Sequence, residues 1–227
     1  MNGVTLQGMV LSSMPIGEYD NRVVLLTMER GKISAFARGA RRQGSPLAAF
    51  CRPFATGYFT IYESRTANSL KEARILNYFE ELSLDMDSLY LGYYFLEFAD
   101  YYSREGGDER LTMRLLYCAL QGLLKESIPG KLVRLVYELK LLMMNGDFEG
   151  IPERLSPGAS HALRFILDQV PERLFTFALS DEVFREVSAY CDYLKARYIR
   201  REFRSLRIRE EMKDFLPASE EIKKAPS

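Results

Sequence analysis

Histidine and cysteine are scarce in this sequence: one of the former and three of the latter in 227 residues. Cys51, Cys118 and Cys191 stand far apart, so neither a Cys-x-x-Cys metal pair nor an even-numbered disulfide framework can be drawn. A reducing, cytoplasmic setting is expected, with no metal and no cofactor. With His161 alone, no Ser/His/Asp set can be assembled. That histidine follows a helix-start signal and faces the apolar run "ALRFIL", which suits a hydrogen-bonded structural residue rather than a catalyst. Net charge is also absent, since 31 Lys/Arg balance 31 Asp/Glu. A basic total therefore cannot be invoked for a nucleic-acid partner. No stretch approaches the roughly 18 uncharged apolar residues of a membrane helix. The start "MNGVTLQGMVLSS" lacks the basic head and apolar stretch of a secretory signal, so neither export nor a membrane partner is expected.

What is present is charge sorted into blocks. From Arg22 to Arg52 seven Lys/Arg face one acid, Glu29; from Glu81 to Gln121 eight acids face three arginines; from Lys195 to Arg209 seven Lys/Arg again face one acid, Glu202. The two basic blocks lie far apart in the chain.

An apolar content of 47% can fill one large core or two modest ones, and a change of period near residue 80 favours two. Period-two segments at 4–13, 22–29, 31–38, 53–63 and 69–78, punctuated by "PIGEYDN" and "ERGK", predict five short strands. Five strands in so short a length suggest a small barrel such as the OB-fold, whose open face takes oligonucleotides. Beyond residue 80 the period becomes 3.6. "SLYLGYYFLEFADYYS" is apolar nearly all round, as in a helix at the middle of a bundle. Helices follow over 108–126 with Asp108 as N-cap, over 129–146 between Pro129 and Gly146, over 157–169 after Ser156, and over 180–205. The expected fold class is α+β: an OB-fold barrel over 1–80, an all-helical domain over 81–216, and a disordered polar tail over 217–227.

The densest cationic stretch is "ARGARRQGS", directly after the third strand. Its glycines have P-loop spacing, but no lysine follows, and Pro46 biases Ser45 away from helical angles, which speaks against nucleotide hydrolysis. Single-strand binding asks instead for cations along a backbone path and aromatic faces for bases. Alternation in "KISAFAR" puts Lys32, Ser34, Phe36 and Arg38 on one face and Ile33, Ala35 and Ala37 on the core side. In "PFATGYFTIYE" it turns Tyr58, Thr60 and Tyr62 away from Phe59 and Ile61. With Arg41, Arg42 and Arg52 these residues form the first candidate DNA surface, though solvated arginines and tyrosines packed on the helical domain would explain them too. In "KARYIRREFRSLRIR", Arg197, Arg200, Arg201 and Arg204 have the spacing of one helical face. They are a second candidate contact, or a solvated terminal helix.

Residues 17–65, "GEYDNRVVLLTMERGKISAFARGARRQGSPLAAFCRPFATGYFTIYESR", resemble the N-terminal domain of the RecO family of bacterial recombination mediators. The family's ordered pattern is met by Glu18, Asp20, Leu25, Thr27, Gly31, Ala37, Gly39, Ala40, Arg41, Arg42, Ser45, Leu47, Pro53 and Phe54. "LVRLVYELKLLMMNG" and "YIRREFRSLR" are similar to later family segments, less tightly. The resemblance implies an OB-fold with a helical domain that binds single-stranded and duplex DNA and anneals complementary strands. It also implies help in loading recombinase with the partner RecR, no bond chemistry, and residence in the cytoplasm at the nucleoid. It further implies a pocket for the acidic, Phe-ended tail of the single-strand-binding protein, with Arg134 at the family's helix position and Lys131 and Arg114 as weaker candidates. Arg134 could equally do no more than pair with Glu138 four residues on. Many family members hold zinc with four cysteines after this helix, whereas "NGDFEGIPERLSPGA" has none. A protein–protein adaptor and a single-stranded RNA binder without annealing activity are the alternatives.

Overall fold

The computed structural model describes residues 3–215; the expected tail over 217–227 lies outside them. The first part is five strands: β1 (Gly3–Ile16), β2 (Asp20–Thr27), β3 (Gly31–Ala37), β4 (Thr56–Tyr62) and β5 (Asn68–Asn77). β1 pairs with β2 and β4, β2 with β3, and β4 with β5, all antiparallel; a short parallel pairing of β3 with β5 closes the barrel in the order β1-β2-β3-β5-β4. This is the OB-type arrangement. Inward positions carry Val10, Val23, Leu25, Ala35, Ala37, Phe59, Ile61 and Leu70, all buried. β4 starts three residues later than its sequence period suggests, because Leu47–Phe50 coil into a short helix α1 and the chain turns at Phe54, whose φ is 71°.

Six longer helices follow: α2 (Met86–Tyr102), α3 (Arg110–Leu123), α4 (Gly130–Met144), α5 (Pro157–Asp168), α6 (Asp181–Tyr198) and α7 (Arg204–Phe215). The molecule is therefore α+β. Side chains cap several starts: Asp85 accepts from the Ser88 N–H at 2.9 Å and Ser156 from the Ala159 N–H at 3.2 Å. α3 departs from expectation, since Glu109, not Asp108, holds the N-cap position; Asp108 accepts from the Arg110 N–H at 3.1 Å. The central helix is α4 rather than α2: Leu132, Val133 and every residue from Leu135 to Leu142 are buried, including Glu138 and Lys140. α2 keeps Asp87, Glu97 and Asp100 along one side, and α7 lies against that side.

The helix expected over 180–205 is broken. α6 stops at Tyr198, Ile199 turns extended, and α7 begins only at Arg204. The cause is Phe203, which drops among the rings of Tyr94, Phe98 and Tyr101 at 5.3, 5.3 and 6.0 Å. Burying such a ring is worth about 1.5–3 kcal/mol, more than the helical propensity of the few residues given up.

The barrel keeps a core of its own, while its outer face joins that of the helices. Met9, Leu11, Leu26 and Phe54, on or beside the outer β1–β2 face, pack into the same cluster as α2, α3 and α4. The connection between α2 and α3 is stitched to the β2–β3 hairpin: Lys32 N–H donates to the Arg104 carbonyl at 2.9 Å, Gly106 N–H to Arg30 at 3.1 Å and Glu109 N–H to Met28 at 3.1 Å. Gly31 makes this approach feasible, with φ 61° and room so short that a Cβ would lie 2.1 Å from the Arg104 oxygen. Among the described residues no helix is long and apolar enough to cross a membrane.

Candidate nucleic-acid interface

The cationic loop after β3 is welded to the turn between β1 and β2. Gly39, at φ 74°, donates its N–H to the Asp20 carboxylate at 2.8 Å; the Arg41 N–H donates to the Tyr19 carbonyl at 2.9 Å; and the Arg41 guanidinium reaches the Gly17 carbonyl at 3.2 Å. The Arg42 guanidinium carbon lies 5.2 Å from the centre of the Tyr19 ring. Arg38, Arg41 and Arg42 are all exposed, and none makes an ion pair among the described residues. Arg22, on the outer face of β2, adds a fourth such cation. It sits opposite Phe36, and its Nε donates to the Ser34 hydroxyl at 2.7 Å. Arg22 was open to inference by the same alternation that marked Phe36.

Alternation along β3 is as read: Ile33, Ala35 and Ala37 are buried, and Lys32, Ser34 and Phe36 lie on the outer face, partly covered. Lys32 nevertheless does not point outward with the arginines. Its ammonium donates to the Asp100 carbonyl at 2.7 Å and carboxylate at 3.1 Å, which fixes it at the junction with α2. Asp100 is 68 residues away, so no local pattern could reveal the pair. Arg52 is also engaged, pairing with Glu80 at 2.9 Å and lying over the Tyr78 ring at 5.2 Å. Arg30 is paired with Glu63. The open part of the β2–β3 face is thus its end nearest the β1–β2 turn.

The two tyrosines of β4 face outward but not toward that end. Tyr62 is separated from Phe36 by Ser69 of β5, about 10 Å at two strand spacings. Its ring lies across Gly3, where a Cβ would come within 3.0 Å of it. Tyr58 is opposite Arg74, in a separate hollow of about 450 Å³ with Thr5, Thr60 and Glu72.

The second basic block is largely neutralised. Arg197 pairs with Glu149, Arg201 with Asp100 at 3.3 Å and Arg207 with Glu211 at 3.7 Å, while Arg209 grips Asp87 with two bonds of 2.7 and 2.8 Å. Lys195 bonds Glu138 and Asp192 at 2.8 and 2.9 Å. Arg200 and Arg204 are exposed, with no ion pair among the described residues. Because the helix breaks at 199–203, Arg197, Arg200, Arg201 and Arg204 do not share one helical face.

On the helical domain, Lys131, Arg134, Lys195 and Arg209 surround a cavity of about 180 Å³ with Leu135 and Phe184 among its walls. Beneath it lies Glu138, whose side chain is 3% exposed; it accepts from Arg134 Nε and Lys195 Nζ, each at 2.8 Å, and from the Tyr94 hydroxyl at 2.7 Å. Burial pushes the Glu138 carboxyl up, but Arg134 and Lys195 together outweigh it and hold the group below the usual carboxylate range. Lys131 stands over the Phe184 ring at 5.0 Å. Arg114 is not in this cavity; it forms a two-bond pair with Glu172 at 2.8 Å. Lys195 and Arg209 were not singled out from sequence, since they come from α6 and α7 and meet α4 only in the fold. His161 is exposed on α5, and its ring has no hydrogen-bond partner among the described residues, contrary to the structural role expected for it. Among the described residues no cluster of three or more His, Cys, Asp or Glu could hold a metal ion.

Residues 1–79 match the family model described as Recombination protein O N terminal. Among similar proteins, the DNA repair protein RecO of Alkaliphilus metalliredigens is 31% identical over 143 residues, covering 63% of this chain and 58% of that protein. That of Exiguobacterium sibiricum is 32% identical over 139 residues, covering 60% and 54%. The RecO of Desulforudis audaxviator is 31% identical over 140 residues, covering 62% and 55%. The alignments span rather more than half the length of these relatives. Residues 1–79 are thus similar to the N-terminal domain of the RecO proteins, and the similarity to whole RecO proteins runs over about three fifths of this chain.

Proposed function

We propose that this chain is a DNA repair and recombination mediator that works without bond chemistry. It binds single-stranded DNA at the barrel end formed by the β1–β2 turn and the arginine loop, also binds duplex, and anneals complementary strands. The observation that carries this reading is the group Arg22, Arg38, Arg41 and Arg42: four guanidiniums on one barrel, none with a carboxylate partner among the described residues. Crowded cations of this kind repel one another unless an anion is near. A phosphate backbone supplies that anion, and neutralising two backbones lets the strands approach. The names of the similar proteins, DNA repair protein RecO, point the same way. Arg200 and Arg204 are the residues of the second block left for a further contact.

The partners proposed with it are RecR and the acidic tail of the single-strand-binding protein, with a cytoplasmic, nucleoid-associated location. For that tail the cavity at Lys131, Arg134, Lys195 and Arg209 is the seat: cations that keep N–H donors beyond those spent on Asp181, Glu138, Asp192 and Asp87, and Leu135 and Phe184 to receive a terminal ring. Arg114, bound to Glu172, is dropped from that role.

Titration of a labelled single-stranded oligonucleotide at low salt, followed by annealing of two complementary strands, tests the reading. Saturable binding with accelerated annealing is expected. No saturable binding would favour an adaptor, and preference for RNA without annealing would favour the other alternative.

A further inference from the structure

Resting on the DNA reading, we propose that Tyr19, at the tip of the β1–β2 turn, is the residue on which an unpaired base stacks. It is 44% exposed, and of the two rings at the cation cluster, Tyr19 and Phe36, it is the more open: Arg42 covers it at 5.2 Å, and among the described residues no second ring packs on it. A ring with a guanidinium on one side and solvent on the other is half of a stacking sandwich.

The turn is held ready for this. Asp20 binds the Gly39 N–H, and the Tyr19 and Gly17 carbonyls are both held by Arg41, so the backbones of the turn and of the arginine loop are tied together before any ligand arrives. Preorganisation of this kind lowers the ordering cost of binding. Met14 and Ile16, on the end of β1 beside the turn, are 60% and 38% exposed and extend the apolar surface. The other outward rings are less suited: Tyr62 lies over Gly3, Tyr58 sits in the hollow with Glu72, and Phe36 is partly covered.

The ligand class follows from the chemistry. Bases in an intact duplex are stacked on their neighbours and offer no free face, so this site selects unpaired bases: a single strand, or the open step at a junction with duplex. Arg41 and Arg42 take the phosphates on either side. Phosphate contacts then serve both kinds of DNA, while Tyr19 discriminates between them.

The test compares an oligo(dT) strand with an abasic deoxyribose-phosphate strand of equal length and charge, using the full chain and its Tyr19→Ala and Tyr19→Phe variants. The wild-type chain should prefer oligo(dT). Tyr19→Ala should weaken oligo(dT) binding by about 5- to 100-fold while leaving the abasic strand within about twofold, and Tyr19→Phe should retain the preference. Because the chain has no tryptophan, Tyr19→Trp creates a single tryptophan, whose selectively excited fluorescence oligo(dT) should quench and the abasic strand should not. An equal loss on both strands in Tyr19→Ala would mean that the ring merely supports Arg42 and would overturn the proposal, as would no loss at all. If the wild-type chain saturates with neither strand, the DNA reading itself falls and takes this one with it. If it binds both strands equally, only this one falls.

Discussion

The two basic blocks are alike in composition and opposite in use. In the front block, Arg30, Lys32 and Arg52 are paired, but among the described residues Arg22, Arg38, Arg41 and Arg42 have no carboxylate: Arg41 holds a backbone carbonyl, Arg42 an aromatic face and Arg22 a serine. In the back block, Lys195, Arg197, Arg201, Arg207 and Arg209 each have a carboxylate, two of them supplied by the acidic side of α2 at Asp87 and Asp100. The acidic block between them in the chain thus supplies carboxylates to the second at Asp87 and Asp100, and among the described residues its one ion pair with the first is at Lys32. Density of cations along a sequence does not distinguish a binding surface from an internal seam; the location of the acids does.

That contrast is sharpest in stability. Removing Glu138 leaves the partly buried Arg134 unpaired and Lys195 with Asp192 alone, and Glu138→Ala should cost about 3 kcal/mol in denaturant unfolding. The sign of its pH dependence follows from its lowered pKa. The stabilisation is complete above the unfolded glutamate value of about 4.3 and is lost as pH falls through the lower folded value, so Glu138→Gln should flatten the acid limb of the stability curve. Next in size, Arg209→Ala breaks the two-bond pair to Asp87 and should cost about 1 kcal/mol. The double change Arg41→Ala with Arg42→Ala, which breaks no ion pair, should stay within about 0.5 kcal/mol of the wild type by the same measurement. Equal costs for these two variants would erase the distinction.

Much of this was legible where the physics is local. Alternation along β3 and β4 separated core from surface because a barrel wall has only two sides, and the strand-to-helix change near residue 80 follows from period alone. Lys32 misled because its fate depends on Asp100, and the break after Tyr198 because it depends on the rings awaiting Phe203 in α2. Tyr19 was passed over for a different reason: a turn has no periodicity, so a single ring there carries no pattern until the arginine loop is seen folded against it. The cavity under Arg134 needed α6 and α7 to complete it with Lys195 and Arg209.

The central claim, that the unpaired front arginines and not the carboxylate-paired back ones meet phosphate, is tested most directly by the salt dependence of single-strand binding. With Lys32 committed to Asp100, four front contacts replace the five that a count including it gives, so the front site's share of the slope of log K against log salt should be ~−2.8 rather than ~−3.5, at ~0.7 per contact. Arg41→Ala with Arg42→Ala should flatten it by about 1.4, while Arg201→Ala with Arg209→Ala should leave it unchanged. A wild-type slope in the front variant, or an equal flattening in the back one, would contradict the account.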